Sequence, residues 1–284
     1  MYGKSEDRDD YQAVPRPVAA MARDLADGHH IPPHSHRRAQ LIYGTTGAIT
    51  VTTDHGAWVV PATRGAWIPA GLTHAMTCAG AVAMRTLYLA PEAAVRLPAR
   101  PTVVSVSPLL RELIDEATRL PVEYDAEGRD GTVMELLLLS LTPHPVRALH
   151  LPSPGPDGGG GGDERLAALC AEIRRDPAAP WTAAYAAART HLSARTLQRR
   201  FTAATGMPLA RWVQQARLLH AAALLARGEP VTSVAARVGY ATPSAFTAMF
   251  HRALGTTPTA YFAGGEQSEQ SAQGEQSQAP TSTS

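Results

Sequence analysis

Between residues 39 and 89 the chain is written in short apolar runs separated by Gly and Pro. AQLIYG (39–44), AITVTT (48–53), AWVVP (57–61), AWIP (66–69), HAMTC (74–78) and AMRTLYL (83–89) have strand length and strand composition, and turn residues bound them. This spacing predicts an all-β sandwich or barrel across residues 21–95, after a polar, loosely ordered stretch over residues 1–20. At residue 107 the period changes. SPLLRELIDEATRL (107–120) places Leu109, Leu110, Leu113, Ile114 and Ala117 on one helical face, with Ser107 able to cap and Pro108 in the first turn. A second helix is predicted over residues 131–141, where Leu136, Leu137, Leu138 and Leu139 succeed one another and require burial against the β domain or in a partner chain. Residues 96–150 are therefore expected to dock on the barrel or to dimerise the chain. Residues 151–163, mostly Gly, Pro and Asp, read as a flexible linker, which suggests that coupling between the halves runs through dimer geometry or loose tethering rather than a stiff rod. Residues 265–284, rich in Gln, Ser and Glu without apolar periodicity, read as a disordered tail.

Residues 164–264 carry two helix-turn-helix patterns in tandem. Ala183, Ala184, Ala186, Ala187 and Ala188 make a small-residue helix that allows close packing. It leads through Leu192 and a capping Ser193 into ARTLQRRF. There Leu197 and Phe201, four apart, face the core, while Arg195, Gln198 and Arg199 face outward. Arg and Gln are the side chains suited to bidentate contact with guanine and adenine edges. A long helix from Leu209, with Trp212, Ala216, Leu219, Ala223 and Leu224 as its buried stripe, holds the two units in register and ends at Gly228. In the second unit Val234, Ala235 and Val238 form the supporting face, and Gly239 turns the chain with a positive φ. Thr242 caps and Pro243 opens the next helix. That helix carries Ser244, Thr247, Ala248, His251 and Arg252 outward, with Ala245, Phe246, Met249 and Phe250 available to pack inward.

Charge separates the two halves. The formal net charge of the 284 residues is +1, but residues 164–264 hold twelve arginines, no lysines and four acids, a net +8. Residues 1–163 hold fourteen basic and eighteen acidic side chains, a net −4. A basic half joined to a mildly acidic one points to a polyanion as partner of the basic half alone. Cys78 and Cys170 fall in different regions and make no disulfide framework. No apolar run is long enough to cross a bilayer, and residues 1–11 lack a signal-peptide core, so a cytoplasmic protein without a membrane partner is expected.

The LQRRF and TG segment of Leu197–Gly206, Arg217–Leu218, and the run through Val231, Gly239, Tyr240, Pro243, Ser244, Phe246, Phe250, Gly255, Pro258 and Tyr261 resemble the DNA-binding domain of the AraC/XylS family of bacterial transcription regulators. The resemblance covers about 100 residues, an ordinary domain length. It implies two helix-turn-helix units bridged by a long helix, and double-stranded promoter DNA as partner. The DNA-reading set it implies is Arg195, Thr196, Gln198 and Arg199 in the first unit and Ser244, Thr247, Ala248, His251 and Arg252 in the second. Ala248 departs from relatives that carry a long basic side chain there. It offers only a methyl contact, which shifts the expected base readout toward the first unit.

The N-terminal half holds a second constellation. His34 and His36 share one side of a strand, as do Arg38, Gln40 and Ile42, and His74 comes from a later strand. Three imidazoles converging inside a barrel can hold a divalent transition metal. With Gly28, Gly47, Gly65, Pro69 and Gly71, this pattern resembles the two motifs of cupins, small β-barrels that often bind metal through three His and one Glu. His34, His36 and His74 match the histidine positions. Gln40 stands where cupins usually have Glu, which removes a negative ligand. The alternative is a metal-free pocket whose histidines hydrogen-bond an organic effector, so no cofactor is required. His34, His36, Gln40, His74, Tyr43 and Trp67 are the candidate effector-binding residues, with Trp58 and Tyr88 as further aromatic candidates. The stretch from His34 to Leu89 also resembles a subgroup that includes repressors of drug-efflux genes, which implies control of efflux or detoxification genes.

The expected fold class is α+β in two domains: an N-terminal cupin-like β-barrel followed by helices, and a C-terminal all-α tandem helix-turn-helix domain. The expected function is ligand-responsive, sequence-specific regulation of transcription by a homodimer that contacts RNA polymerase if it activates. A regulator without an effector, controlled by abundance, is a further alternative. A metal-dependent cupin enzyme of dioxygenase or isomerase type is disfavoured, because no paired carboxylates accompany the histidines for acid–base work.

Overall fold

The computed structural model describes residues 7–62, 64–141, 149–154 and 163–262. After a 3-10 turn at Arg8–Tyr11 come strands β1 (Val18–Leu25), β2 (His30–His34), β3 (Ala39–Gly44), β4 (Ala48–Thr53), β5 (Gly56–Pro61), β6 (Arg64–Ile68), β7 (His74–Ala79) and β8 (Val82–Leu89). A short helix α1 (Pro91–Ala94) and strand β9 (Thr102–Ser105) lead to helices α2 (Pro108–Ala117) and α3 (Arg129–Ser140), then strand β10 (Leu149–Pro152). The strands form two five-stranded antiparallel sheets, ordered β1-β8-β3-β6-β9 and β10-β5-β4-β7-β2. Alternation along each strand creates the layers. Met21, Ile42, Ile49, Val51, Val60, Met76, Met84 and Tyr88 fill the space between the sheets. Leu41, Tyr43, Trp67, Leu87 and Leu89 on the outer face of the first sheet pack against Leu110, Ile114 and Leu137 of α2 and α3.

Several expectations from the chain change here. The β unit recruits β9 and β10 from within residues 96–150, and β10 also takes up the first two residues of the expected 151–163 linker. These four-residue strands are too short to show a period, and pairing with β6 and β5 is what makes them strands. In the expected loose stretch over residues 1–20, Tyr11 and Val14 are buried in the inter-sheet core and Val18 begins β1. Ser107 caps α2 by accepting from the Leu110 N–H, but Leu109 is 54% exposed while Leu110, Leu113 and Ile114 are buried. In α3 only Leu137 of the four leucines is fully buried, and Leu136 and Leu139 are 43% and 65% exposed. Residues 155–162 of the expected linker and the expected tail, residues 265–284, lie outside the described residues.

The second half comprises α4 (Glu164–Arg175), α5 (Ala183–Thr190), α6 (Ala194–Thr205), α7 (Leu209–Ala226), α8 (Val231–Arg237), α9 (Pro243–Leu254) and α10 (Pro258–Phe262). It is not loosely tethered. The outer face of the second sheet (Ala48, Ala57, Val59, Leu149, Leu151) and the helical core around Trp212 and Phe201 form one continuous apolar cluster. Trp212 Nε1 donates to the Pro152 carbonyl at 2.8 Å, and Arg227 Nε reaches Asp27 Oδ1 at 2.9 Å. The Arg64 guanidinium lies 5.2 Å from the Tyr261 ring centre. Gly80 (φ +74°) sits so close to the end of α7 that an added Cβ would fall 2.6 Å from the Ala226 carbonyl oxygen.

Candidate functional site: a DNA-reading face and a histidine pocket

Side-chain caps and left-handed turns build both helix-turn-helix units. Thr182 Oγ1 accepts from the Tyr185 N–H at the start of α5, Ser193 Oγ from the Thr196 N–H at the start of α6, and Thr242 Oγ1 from the Ala245 N–H at the start of α9. His191 (φ 52°) makes the turn of the first unit and Gly239 (φ 81°) that of the second. On α6, Leu197 and Phe201 are fully buried, Arg195 and Arg199 are exposed, and Gln198 is half-buried. Thr196 is held back by its cap, since its hydroxyl accepts from Ser193 Oγ at 2.9 Å. On α9, Phe246, Met249 and Phe250 are buried. Ala245, a candidate for inward packing, is exposed instead because the three larger side chains already fill that face. Ser244, Thr247, Ala248, His251 and Arg252 border one concavity of about 590 Å³. Among the described residues Arg195, Arg199 and Arg252 have no acidic partner within 4 Å, whereas Arg189, Arg200 and Arg237 are paired with Glu172, Asp163 and Glu229. Three unpaired arginines thus lie on the helices whose outward faces can enter a major groove. Between the units, Arg217 of α7 donates to the carbonyls of Pro177 (2.9 Å) and Ala179 (3.2 Å) and lies 5.7 Å from the Tyr240 ring centre.

The histidines converge between the two sheets. His34 and His74 are cross-strand partners at one end of the β2–β7 pair; β2 ends at His34, so His36 lies in the irregular segment before β3 and not on the same strand as expected. Ring centres are 4.4 Å (His34–His74), 4.8 Å (His34–His36) and 5.3 Å (His36–His74) apart, and one ring nitrogen from each lies within 4.8 Å of the others. His34 Nδ1–H donates to the Pro32 carbonyl at 2.7 Å, which leaves its Nε2 with a lone pair; His74 Nδ1 lies 3.0 Å from the Leu72 carbonyl, and with its proton there its Nε2 also keeps a lone pair. His36 is buried with neither ring nitrogen partnered. Burial lowers the pKa of all three rings, to about 3 for His36 and about 4 for His74. They are therefore neutral at physiological pH, as metal ligands must be.

Gln40 joins this cluster. Thr86 Oγ1 donates to the Leu41 carbonyl (2.9 Å) and so accepts from Gln40 Nε2 (2.9 Å), which turns Gln40 Oε1 toward His74 Nε2 at 3.0 Å. A cavity of about 390 Å³ opens beside the cluster. Met21, Met76, Met84, Ile31 and Tyr88 form its wall, and Asp7, Arg8, Asp9 and Arg23 also line it.

Of the candidate effector-binding residues, the structure brings His34, His36, Gln40 and His74 together. Tyr43 and Trp67 are not among them. Both lie on the outer face of the first sheet, packed against α2 and α3, and Trp67 Nε1 donates to the Pro98 carbonyl. Gln40 and Ile42 point between the sheets, so Leu41 and Tyr43 must point away. Trp58 is in the inter-sheet core but stacks on His150 at 4.6 Å. Residues not foreseen include Met21, Met84, Thr86, Arg8 and Arg23. Strand parity extended from Tyr88 would have found Thr86 and Met84. Met21 and Arg23 enter only through pairing of β1 with β8.

Comparison with known proteins agrees with both halves. Residues 19–139 match an AraC-like ligand binding domain, and residues 186–264 match a helix-turn-helix domain. The HTH-type transcriptional regulator NimR of Escherichia coli K12 is 30% identical over 237 residues, 82% of each chain. The HTH-type transcriptional activator RhaR of Pectobacterium atrosepticum is 32% identical over 154 residues, 54% of this chain and 52% of that one. Among solved structures, the DNA-binding domain of AdpA in complex with a target DNA is 35% identical, spans 35% of this chain and 90% of its own, and has a TM-score of 0.34. ToxT from Vibrio cholerae with a bound unsaturated fatty acid is 9% identical, spans 86% of this chain and 94% of its own, and has a TM-score of 0.35. These relatives and domains are regulators rather than enzymes. A paired helix-turn-helix unit with unpaired outward arginines, joined to an AraC-like ligand-binding domain, places the chain in the AraC-type family of DNA-binding transcription regulators.

Proposed function

We propose that the chain binds promoter DNA through α6 and α9, and that a divalent transition metal held by His34, His36 and His74 sets its affinity for that DNA. The observation that carries the metal reading is His36, a buried imidazole with both nitrogens unpartnered, next to two imidazoles whose Nδ1 atoms face backbone carbonyls. Buried polar groups without partners are rare and costly, and three neutral imidazoles in one place match the donor set of a zinc-like ion. Bound there, the ion would supply a crosslink between β2, the adjoining bend and β7. Two recognition helices on one body suit successive turns of a major groove about 34 Å apart, with phosphate contacts from the arginines supplying salt-dependent affinity. The exposed Leu136 and Leu139 of α3 support a second copy of the chain as a further partner. Control of efflux or detoxification genes, with RNA polymerase contacted if the chain activates, is consistent with this reading.

The test is elemental analysis of the purified protein beside a His34→Ala/His36→Ala variant, with both assayed on DNA fragments recovered by genome-wide footprinting. Stoichiometric metal in the parent, its loss in the variant and a change in DNA affinity on chelation are expected. A parent without stoichiometric metal overturns the metal reading and leaves DNA binding standing.

A further inference from the structure

We infer that the cavity beside the histidines takes a small organic anion with an apolar body, bound directly to the metal, and that Gln40 sets this charge requirement as a fourth, neutral ligand. The inference rests on the metal reading above. Its first support is the polarity of the hydrogen-bond chain. The Leu41 carbonyl orients the Thr86 hydroxyl, which orients the Gln40 amide, so that Gln40 Oε1 faces His74 Nε2. A neutral His74 carries one ring N–H but faces two acceptor oxygens at 3.0 Å, the Leu72 carbonyl at Nδ1 and Gln40 Oε1 at Nε2; with the proton on Nδ1, Nε2 and Gln40 Oε1 are two acceptors in contact. Two lone pairs at that distance repel unless a cation lies between them. Two atoms that would each lie about 2.1 Å from one ion come within about 3–3.5 Å of each other, the range in which this pair falls.

The second support is charge. Three imidazoles and an amide carry none, so a divalent ion held by them keeps both its positive charges. Among the described residues no carboxylate joins the cluster of candidate ligand atoms. The acids and bases lining the cavity, Asp7, Asp9, Arg8 and Arg23, balance each other. An uncompensated charge in a low-dielectric site is strongly unfavourable, and an anionic ligand on the ion removes it. The third support is the wall. Met21, Ile31, Met76 and Met84, which line part of the cavity of about 390 Å³, offer contact to an apolar body.

The experiment uses the full chain, stripped of metal and reloaded with cobalt(II), whose visible bands report its ligands. The probes are phenylacetate, its uncharged isostere phenylacetamide, and azide. Phenylacetate and azide are expected to change the cobalt bands, and phenylacetate to raise the melting temperature of the loaded protein. Phenylacetamide should do neither, and the metal-free protein should respond to none of them. Gln40→Glu, which supplies the missing negative charge, should retain cobalt and weaken phenylacetate binding about tenfold or more. Equal binding of acid and amide, no response to either anion, or undiminished anion binding by a folded Gln40→Glu variant overturns the inference. Failure of the parent to take up cobalt instead overturns the metal reading on which it rests. The acid–amide comparison needs no variant and stands even if Gln40→Glu does not fold.

Discussion

Gln40 and Ile42 look into the space between the sheets, and Leu41 and Tyr43 look out of it. That parity assigns Gln40 to the pocket and removes Tyr43. The chain already displayed it, and only the choice of which set faced inward needed the partner strands. At the reading face the same scale applies. Arg199 is exposed on α6 without an acidic partner, while Ala248 on α9 ends at its Cβ. Arg199→Ala is expected to cost about 1–3 kcal/mol of DNA binding and to relax preference at one base position, measured by competition among singly altered sites. Unchanged affinity and unchanged preference would remove Arg199 from the reading set.

At the scale of elements, helices announced themselves and short strands did not. Ser107, Ser193 and Thr242 each stand before an apolar-periodic run, and each accepts the hydrogen bond its position implies. Cap and period are local properties and need no distant partner. β9 and β10 have neither, and they exist because the edges of β6 and β5 offer unpaired backbone groups. α7 shows how an element acquires a role beyond its period. Its Arg217 ties the loop before the first unit to the α7 scaffold and lies against Tyr240 of the second. Arg217→Ala is expected to lower stability by about 1–3 kcal/mol in chemical denaturation, since two backbone carbonyls lose a charged donor. Arg217→Lys should recover only part of this, because an ammonium cannot reproduce the planar fork. Full recovery by lysine would reduce the contact to charge alone.

For the whole molecule, the second sheet is a wall between the histidine cluster and the DNA-binding half. One face carries His34, His74 and Met76, and the other packs on the helix that joins the two helix-turn-helix units. Gly80, at the end of the strand that begins with His74, touches the last turn of α7. Gly80→Ala is expected to cost more stability than Gly206→Ala. Both residues have positive φ and share the backbone strain of about 1–2 kcal/mol, but only Gly80 meets a neighbour, the Ala226 carbonyl. Faster amide exchange at Leu224–Arg227 in the Gly80 variant alone would locate the difference at this contact. Equal costs and equal exchange would show that the halves are not braced there.

The chain by itself determined the two classes of unit, the caps and turns of the DNA-binding half, and the histidines and Gln40 as one candidate site. Those come from local periods, side-chain capping and residue type, which a linear chain displays. Tertiary structure decided which strand faces line the pocket, that β9 and β10 complete the sheets, and that the two halves share one apolar core across a Gly-rich segment. It also decided that Gln40 presents its oxygen rather than its amide nitrogen to the histidines. Each of these depends on a partner distant in sequence, such as Thr86 for Gln40, β8 for β1 or Pro152 for Trp212, and composition and spacing do not specify such pairings.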